Sequence, residues 1–291
     1  MKKRLIEEGI KVADSMMYQQ VKIWARYSSD KVDIGEELAH VIRILSRSHP
    51  LSKRLRALSI GSSNEPQFRL LETAFRAGVY LLDIEKEALD MVKERVRRQW
   101  TDHVTTIKLD YTKTFLDKDK TRAFLKQRLG GKRMDLITLH HSLYYCQEKM
   151  WHTIFENLFL RLLANKGAMH AVLMDSISKN PYSTTHLYNH FAGKFFNHHN
   201  DQDLYKLKSE LKGNPSFKRA DISIKRNKVR FFKDDFRQFM AVVWMILLYP
   251  NVHKYSLPQK REITEFVYER FWRRKRPLIQ EQDHLVIIKE Q

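Results

Sequence analysis

Gly61 and Asp83 are the two residues whose types and spacing most directly imply chemistry. They close the runs Arg56-Ala-Leu-Ser-Ile-Gly61 and Val79-Tyr-Leu-Leu-Asp83. Both runs are short and mostly apolar, as parallel strands buried on two faces require. A glycine after the first permits a tight turn and the close approach of a ligand to the backbone. An acid ending the second offers acceptor-only oxygens to both hydroxyls of a ribose. Between them, Asn64 can cap a helix that opens near Pro66, because its side chain accepts from free amides and proline suits a first turn. Strand, turn, helix, strand and acid in this order describe a nucleoside site. A glycine after a strand is also an ordinary turn, so the pair needs support from the rest of the chain.

The loop itself narrows the ligand. A pyrophosphate needs several glycines around it, whereas Ser62, Ser63, Asn64 and Glu65 follow a single one. Glu65 also repels phosphate at a helix N-terminus that otherwise attracts anions. These residues disfavour NAD or FAD and favour a nucleoside cofactor without phosphates, such as S-adenosylmethionine.

The elements that must hold these residues are legible as an alternation. After helical segments at about 4–27 and 35–48, strands are predicted at 56–60, 79–83, 103–109, 134–140 and 168–174. Helices are predicted between them at 66–77, 86–98, 118–129 and 148–164. Leu89, Val92 and Val96 repeat at helical spacing while Glu94 and Arg98 can pair outside. Gly130-Gly131 and Asn165-Lys-Gly167 are read as stops before the next strands. Such alternation implies an α/β fold with a Rossmann-like, mostly parallel sheet covered by helices on both faces.

The second half departs from that rhythm. A polar, aromatic segment at 181–200 precedes a helix near 202–212 and strands near 217–232. Helices follow at 234–249 and 258–272, then a last strand at 284–289. We read an N-terminal helical cap over 1–50 and a main domain over 51–291, with substrate-side insertions at about 181–216 and 233–275.

In this order the chain resembles the class I S-adenosylmethionine-dependent methyltransferases, over about residues 50–175 and the closing His284-Leu-Val-Ile-Ile-Lys289. The resemblance implies a seven-stranded sheet whose last strand is antiparallel. It implies that Gly61, Ser62 and Ser63 lie beside the methionine part of the cofactor. Asp83 would hold the ribose, Ile84 would flank the adenine, and Asp110 with Tyr111 would contact the base. The run His140-His-Ser-Leu-Tyr-Tyr145 would flank the reacting centre, with His140 also touching the cofactor. In layout the chain is similar to histamine N-methyltransferase and related small-molecule enzymes, on Leu58-Ser-Ile-Gly61, Leu143-Tyr-Tyr145 and the inserted helices.

Methyl transfer from a sulfonium is an in-line displacement that the cofactor already activates, so the protein chiefly aligns the partners and excludes water. A hydroxyl or a protonated amine needs a base. His140 and His141 are the candidate bases, since histidine titrates near neutral pH; packing within the strand and loop is the alternative reading. Tyr144 and Tyr145 can face a cation with their rings or serve as ordinary core. Tyr144 stands with the two histidines as a candidate catalytic group, and Tyr145, Tyr182 and His186 as candidate substrate contacts. His186 and His190 are four residues apart, but no third ligand accompanies them, so no metal is expected.

Charge and composition bound the remaining classes. There are 53 Lys and Arg against 34 Asp and Glu, a net +19. Residues 206–233 hold ten basic and two acidic side chains, and residues 260–276 hold seven and three. Such a surface attracts nucleic acid or another acidic surface through the basic C-terminal half. The expectation is a methyltransferase acting on a nitrogen or oxygen nucleophile of a small molecule. The alternatives are an RNA or protein methyltransferase, or a non-catalytic S-adenosylmethionine-binding protein. One cysteine, Cys146, excludes an internal disulfide framework and a cysteine-rich zinc site. With no signal-like start, and with Phe239–Tyr249 too short to span a membrane, a cytoplasmic location is expected.

Overall fold

Short apolar runs alternating with amphipathic ones build one seven-stranded sheet and its helices. The computed structural model describes residues 2–14, 17–61, 67–248 and 254–290. Its strands are β1 (Arg56–Ile60), β2 (Gly78–Asp83), β3 (Val104–Lys108), β4 (Met134–His140), β5 (Leu163–Met174), β6 (Ala220–Phe231) and β7 (Leu278–Lys289). The first helices are α1 (Lys2–Lys11), α2 (Met17–Tyr27), α3 (Asp30–Ser48), α4 (Phe68–Ala74), α5 (Lys86–Arg98) and α6 (Tyr111–Phe115). They are followed by α7 (Lys118–Arg128), α8 (Glu148–Asn157), α9 (Thr184–Phe196), α10 (Leu204–Gly213), α11 (Phe236–Leu247) and α12 (Leu257–Val267).

The strand order is β3-β2-β1-β4-β5-β7-β6. Strands β1 to β5 pair in parallel. Strand β7 runs against its neighbours: His170 meets His284 and Asp175 meets Glu281, while Arg219 meets Glu290 and Lys228 meets Glu281. From β1 the chain moves outward to β2 and β3, then returns to β4 on the other side. Loops leaving β1 and β4 therefore diverge, and a crevice opens at their carboxyl ends.

Chain contacts divide the molecule into two units. A sheet unit comprises Ile34–Leu173, Asp203–Lys225 and Asp283–Gln291; a helical unit comprises Met1–Asp33, Met174–Gln202 and Arg226–Gln282.

In the sheet unit the two-residue period of a strand sorts side chains to opposite faces. Leu58, Ile60, Ile137 and Leu139 join one core with Trp151, Phe155 and Leu158. Ala57, Leu81 and Leu136 join the other with Leu38, Val41 and Leu45. Every residue of β4 is buried, including Asp135. Its carboxylate accepts from Lys53 Nζ at 2.6 Å and from the Arg56 amide at 2.8 Å, the pairing a buried charge requires. On α5, Arg98 Nε reaches Glu94 at 2.7 Å, the outward pair its spacing predicts.

The helical unit has its own core. Nine residues of α11 are buried, among them Trp244, whose indole donates to the Gly9 carbonyl at 2.8 Å. A Cβ on Gly9 would lie 2.7 Å from the Thr264 methyl, so glycine is what lets α1 lie against α12. Segment 181–200 is largely a packed helix, with Leu187, Tyr188, Phe191 and Ala192 of α9 buried. No helix among the described residues is long and apolar enough to cross a membrane.

Several expected boundaries shift. Strand β5 opens at Leu163, directly after a π-helical turn at Leu158–Leu162, and Asn165-Lys-Gly167 lies within it. The pairing with β4 is irregular there and Lys166 adopts φ +61°, so the residues read as a stop form an irregularity inside the strand. The strands expected near 217–232 are one strand, β6, and β7 begins at Leu278.

Candidate functional site

Among the described residues, all of the expected site residues but Tyr182 and His186 fall at the carboxyl ends of four adjacent strands, β3, β2, β1 and β4, in the sheet unit. Ser59 pairs with Thr138, and continuing that register sets Gly61 opposite His140. Asp83 ends β2 opposite Lys108 of β3, and its carbonyl accepts from the Leu109 amide at 2.9 Å. This places the first residues after each strand around the crevice between β1 and β4. Ser62 and Ser63 lie outside the described residues.

Gly61 adopts φ +70°, and its amide donates to the Leu82 carbonyl at 2.8 Å. A Cβ there would sit 2.3 Å from Ser142 Cβ. The turn and the approach of Ser142 therefore already demand glycine at this position. Ser142 Oγ is buried with no hydrogen-bond partner among the described residues.

Asp83 is buried, and its Oδ1 accepts from the Glu85 amide at 2.9 Å. Ile84 beside it is 57% exposed, an apolar surface next to a carboxylate. Tyr145 approaches from the β4 side. It is half exposed, yet burial around its hydroxyl, with the Asp83 and Glu85 carboxylates adding to it, pushes its pKa up to about 12.

Asp110 and Tyr111 are already engaged. Asp110 caps α6, accepting from the Thr112 amide at 3.0 Å and the Thr112 hydroxyl at 2.6 Å. Burial alone would raise its pKa, but these bonds and Lys113 hold it below the usual carboxylate range. Tyr111 is buried, and its hydroxyl donates to the Ser142 carbonyl at 2.9 Å, bracing the loop after β4. Cys146 is buried beside this region, and burial followed by Asp110 pushes its thiol up to about 11, which makes it a poor nucleophile.

His140 and His141 point to different partners. His141 adopts φ +51°, its Nδ1 lies 3.2 Å from the Tyr144 hydroxyl, and the two rings stack at 5.8 Å. The buried His140 presents Nε2 to His170 Nδ1 at 3.1 Å, and His170 Nε2 in turn lies 3.2 Å from His284 Nδ1. Burial first, then His140 and His284, lower the His170 pKa well below the ordinary value, so the middle ring is neutral. A neutral imidazole donates through one nitrogen and accepts through the other. The three rings must then share one direction of donation, which couples the tautomer of His140 to that of His284.

His170 and His284 do not stand out in the sequence, because each sits singly within an apolar strand run. Only the pairing of β4, β5 and β7 brings them together. Their burial has a measurable consequence. The unfolded chain takes up a proton at His170 that the folded protein resists, so the stabilisation is full above the unfolded histidine value of about 6.5 and is lost as pH falls below it. His170→Gln, which cannot take that proton, is expected to reduce the decline. Urea midpoints measured at several pH values check this, and an unchanged slope in a folded variant contradicts it.

Tyr182 and His186 belong to the helical unit. There His186 and His190 stack at 6.2 Å, and among the described residues no three His, Cys, Asp or Glu side chains gather as a metal would require. The basic run at 206–233 is partly neutralised: Lys225 pairs with Glu37, Arg226 with Asp175 and Lys228 with Glu281.

No family model matches the sequence, and no curated protein does. The fold is nonetheless shared with solved structures. YcgJ protein from Bacillus subtilis is similar with TM-score 0.53 at 11% identity, over 87% of this chain and 99% of that one. A candidate methyltransferase from Bacillus halodurans matches with TM-score 0.53 at 12% identity, over 86% and 99%. A candidate sarcosine dimethylglycine methyltransferase from Galdieria sulphuraria matches with TM-score 0.51 at 13% identity, over 89% and 85%. At these identities the likeness is one of fold, a seven-stranded, mostly parallel sheet with helices.

Proposed function

We propose that the chain transfers a methyl group from S-adenosylmethionine to a nitrogen or oxygen nucleophile of a small molecule. The carrying observation is the meeting of Gly61, Asp83, Asp110 and His140 at adjacent strand ends around the crevice, in a sheet of order β3-β2-β1-β4-β5-β7-β6. A nucleoside fits what surrounds that point. Asp83 offers a buried carboxylate for ribose hydroxyls, the exposed Ile84 a flat apolar surface for a base, and Ser142 Oγ an unmatched hydroxyl. Asp110 is better read as the cap that fixes the third strand end than as a direct contact, and Tyr111 as the brace of the Ser142 loop.

The cofactor, when bound, supplies an activated methyl group on sulfur. The chain's part is to orient and to take a proton. His140 is the candidate base, with His170 and His284 setting its tautomer and ring plane. His141 and Tyr144, held together, and Tyr145 are proposed to line the acceptor side. The fold shared with the Galdieria structure, whose name gives sarcosine and dimethylglycine, is in keeping with a small acceptor. Neutralisation of Lys225, Arg226 and Lys228 by local carboxylates weakens the case for a polyanion there.

Incubation with methyl-tritiated cofactor and a cell extract, followed by separation into small molecules, RNA and protein, tests the acceptor class. Label in the small-molecule fraction is expected. Label confined to RNA or protein, or no transfer despite cofactor binding, would replace this reading with one of the two alternatives.

A further inference from the structure

In the helical unit two arginines lie over one aromatic ring. Arg270 lies in the π-helical turn Tyr268–Trp272 that follows α12, and Arg276 in the link to β7. Their guanidinium carbons lie 5.4 and 4.8 Å from the centroid of the Tyr182 ring. Arg270 also lies 5.4 Å from the Phe266 ring, on which His190 stacks at 5.4 Å. His186 stacks in turn on His190, one turn earlier on α9.

Two carboxylates of the same stretch are paired with other cations. Glu269 pairs with Lys2 at 2.7 Å and Arg273 at 2.8 Å, and Glu262 pairs with Lys194. Neither Arg270 nor Arg276 has a carboxylate partner among the described residues, and Arg270 Nε is buried with no acceptor. Burial, then Arg270 and His190, lower the His186 pKa, and no acid opposes them. Like charges drawn together on aromatic faces repel unless an anion joins them. A guanidinium that lies over a ring can still donate from its terminal nitrogens.

We infer that Arg270, Arg276 and His186 form an oxyanion site that takes the phosphate group of a small phosphate monoester. Two guanidiniums and an imidazole match a charge of about −2, and guanidinium forks suit tetrahedral oxygens. A phosphodiester presents only one charge per group and is the poorer match. The site goes beyond the acceptor-contact role expected of Tyr182 and His186, and it stands whether or not the chain transfers methyl groups.

The full chain titrated with inorganic phosphate, with histidine resonances followed by NMR, tests it. Saturable binding that raises the His186 pKa is expected. Arg276→Gln is expected to weaken binding about ten-fold, a change of about 1.4 kcal/mol. Arg274→Gln, in the same basic run but outside the cluster, is expected to leave it unchanged, which separates a site from general attraction to a basic surface. Arg270→Gln repeats the test where the variant folds, and Arg276 alone suffices otherwise. Absence of saturation, an unmoved His186, or equal losses in the Arg276 and Arg274 variants would overturn the site. Competition by an RNA oligonucleotide without terminal phosphate, as strong as by phosphate itself, would overturn the monoester assignment.

Discussion

Asp83→Ala is expected to weaken S-adenosylmethionine binding by about 100-fold. Each hydrogen bond to a charged group contributes about 1.5–3 kcal/mol, and two ribose hydroxyls on one carboxylate make a loss of about 3 kcal/mol the lower estimate. Asp83 also accepts from the Glu85 amide at 2.9 Å, so alanine removes a local tie as well as the ligand's acceptor. Asp83→Asn keeps one carbonyl oxygen for that amide while losing the charge, and about a ten-fold loss is expected of it. Titration calorimetry on variants whose thermal unfolding matches the parent checks both. Parental affinity in a folded alanine variant would move the ribose acid elsewhere.

Gly61→Ala should cost stability as well as affinity. The residue sits at φ +70°, and an added Cβ would lie 2.3 Å from Ser142 Cβ. Left-handed backbone costs an alanine about 1–2 kcal/mol, and overpacking a filled site typically adds about 1–3 kcal/mol. The loop after β4 carries the strain, because Ser142 is tied to Tyr111. Pairing Gly61→Ala with Ser142→Gly removes the overlap but not the dihedral strain, so about half of the loss should return. Denaturant unfolding of the two single variants and the double one measures that coupling directly. Additive losses would mean that Ser142 is not what excludes a side chain at position 61.

Much of the sheet unit was legible because its signals are local. Apolar spacing on Leu89, Val92 and Val96 sets α5 at Lys86–Arg98, and the strand expected at 134–140 is β4, Met134–His140. What escaped reading depends on contacts distant in sequence. The sequence offers Asp110 as a ligand contact; its carboxylate also caps the five-residue helix α6, a role hidden because that helix is too short to show a period. Gly61 was read for ligand approach, while its strongest observed demand comes from Ser142, 81 positions later. The chain from His140 through His170 to His284 crosses three strands and has no local signature. In the helical unit, α9 lies in the polar, aromatic segment 181–200, whose histidines and aromatics mask its helical period. Its buried face of Leu187, Tyr188, Phe191 and Ala192 emerges only against the other helices.

The central claim is that the strand ends carrying Gly61, Asp83 and His140 form a nucleoside site for a sulfonium cofactor. Titration calorimetry of the full chain with S-adenosylmethionine, and with its demethylated product, tests it most directly. Saturable binding of both is predicted, with one molecule per chain and with affinity reduced by Asp83→Ala. Absence of heat and of saturation with either compound, from protein shown to be folded, would contradict it.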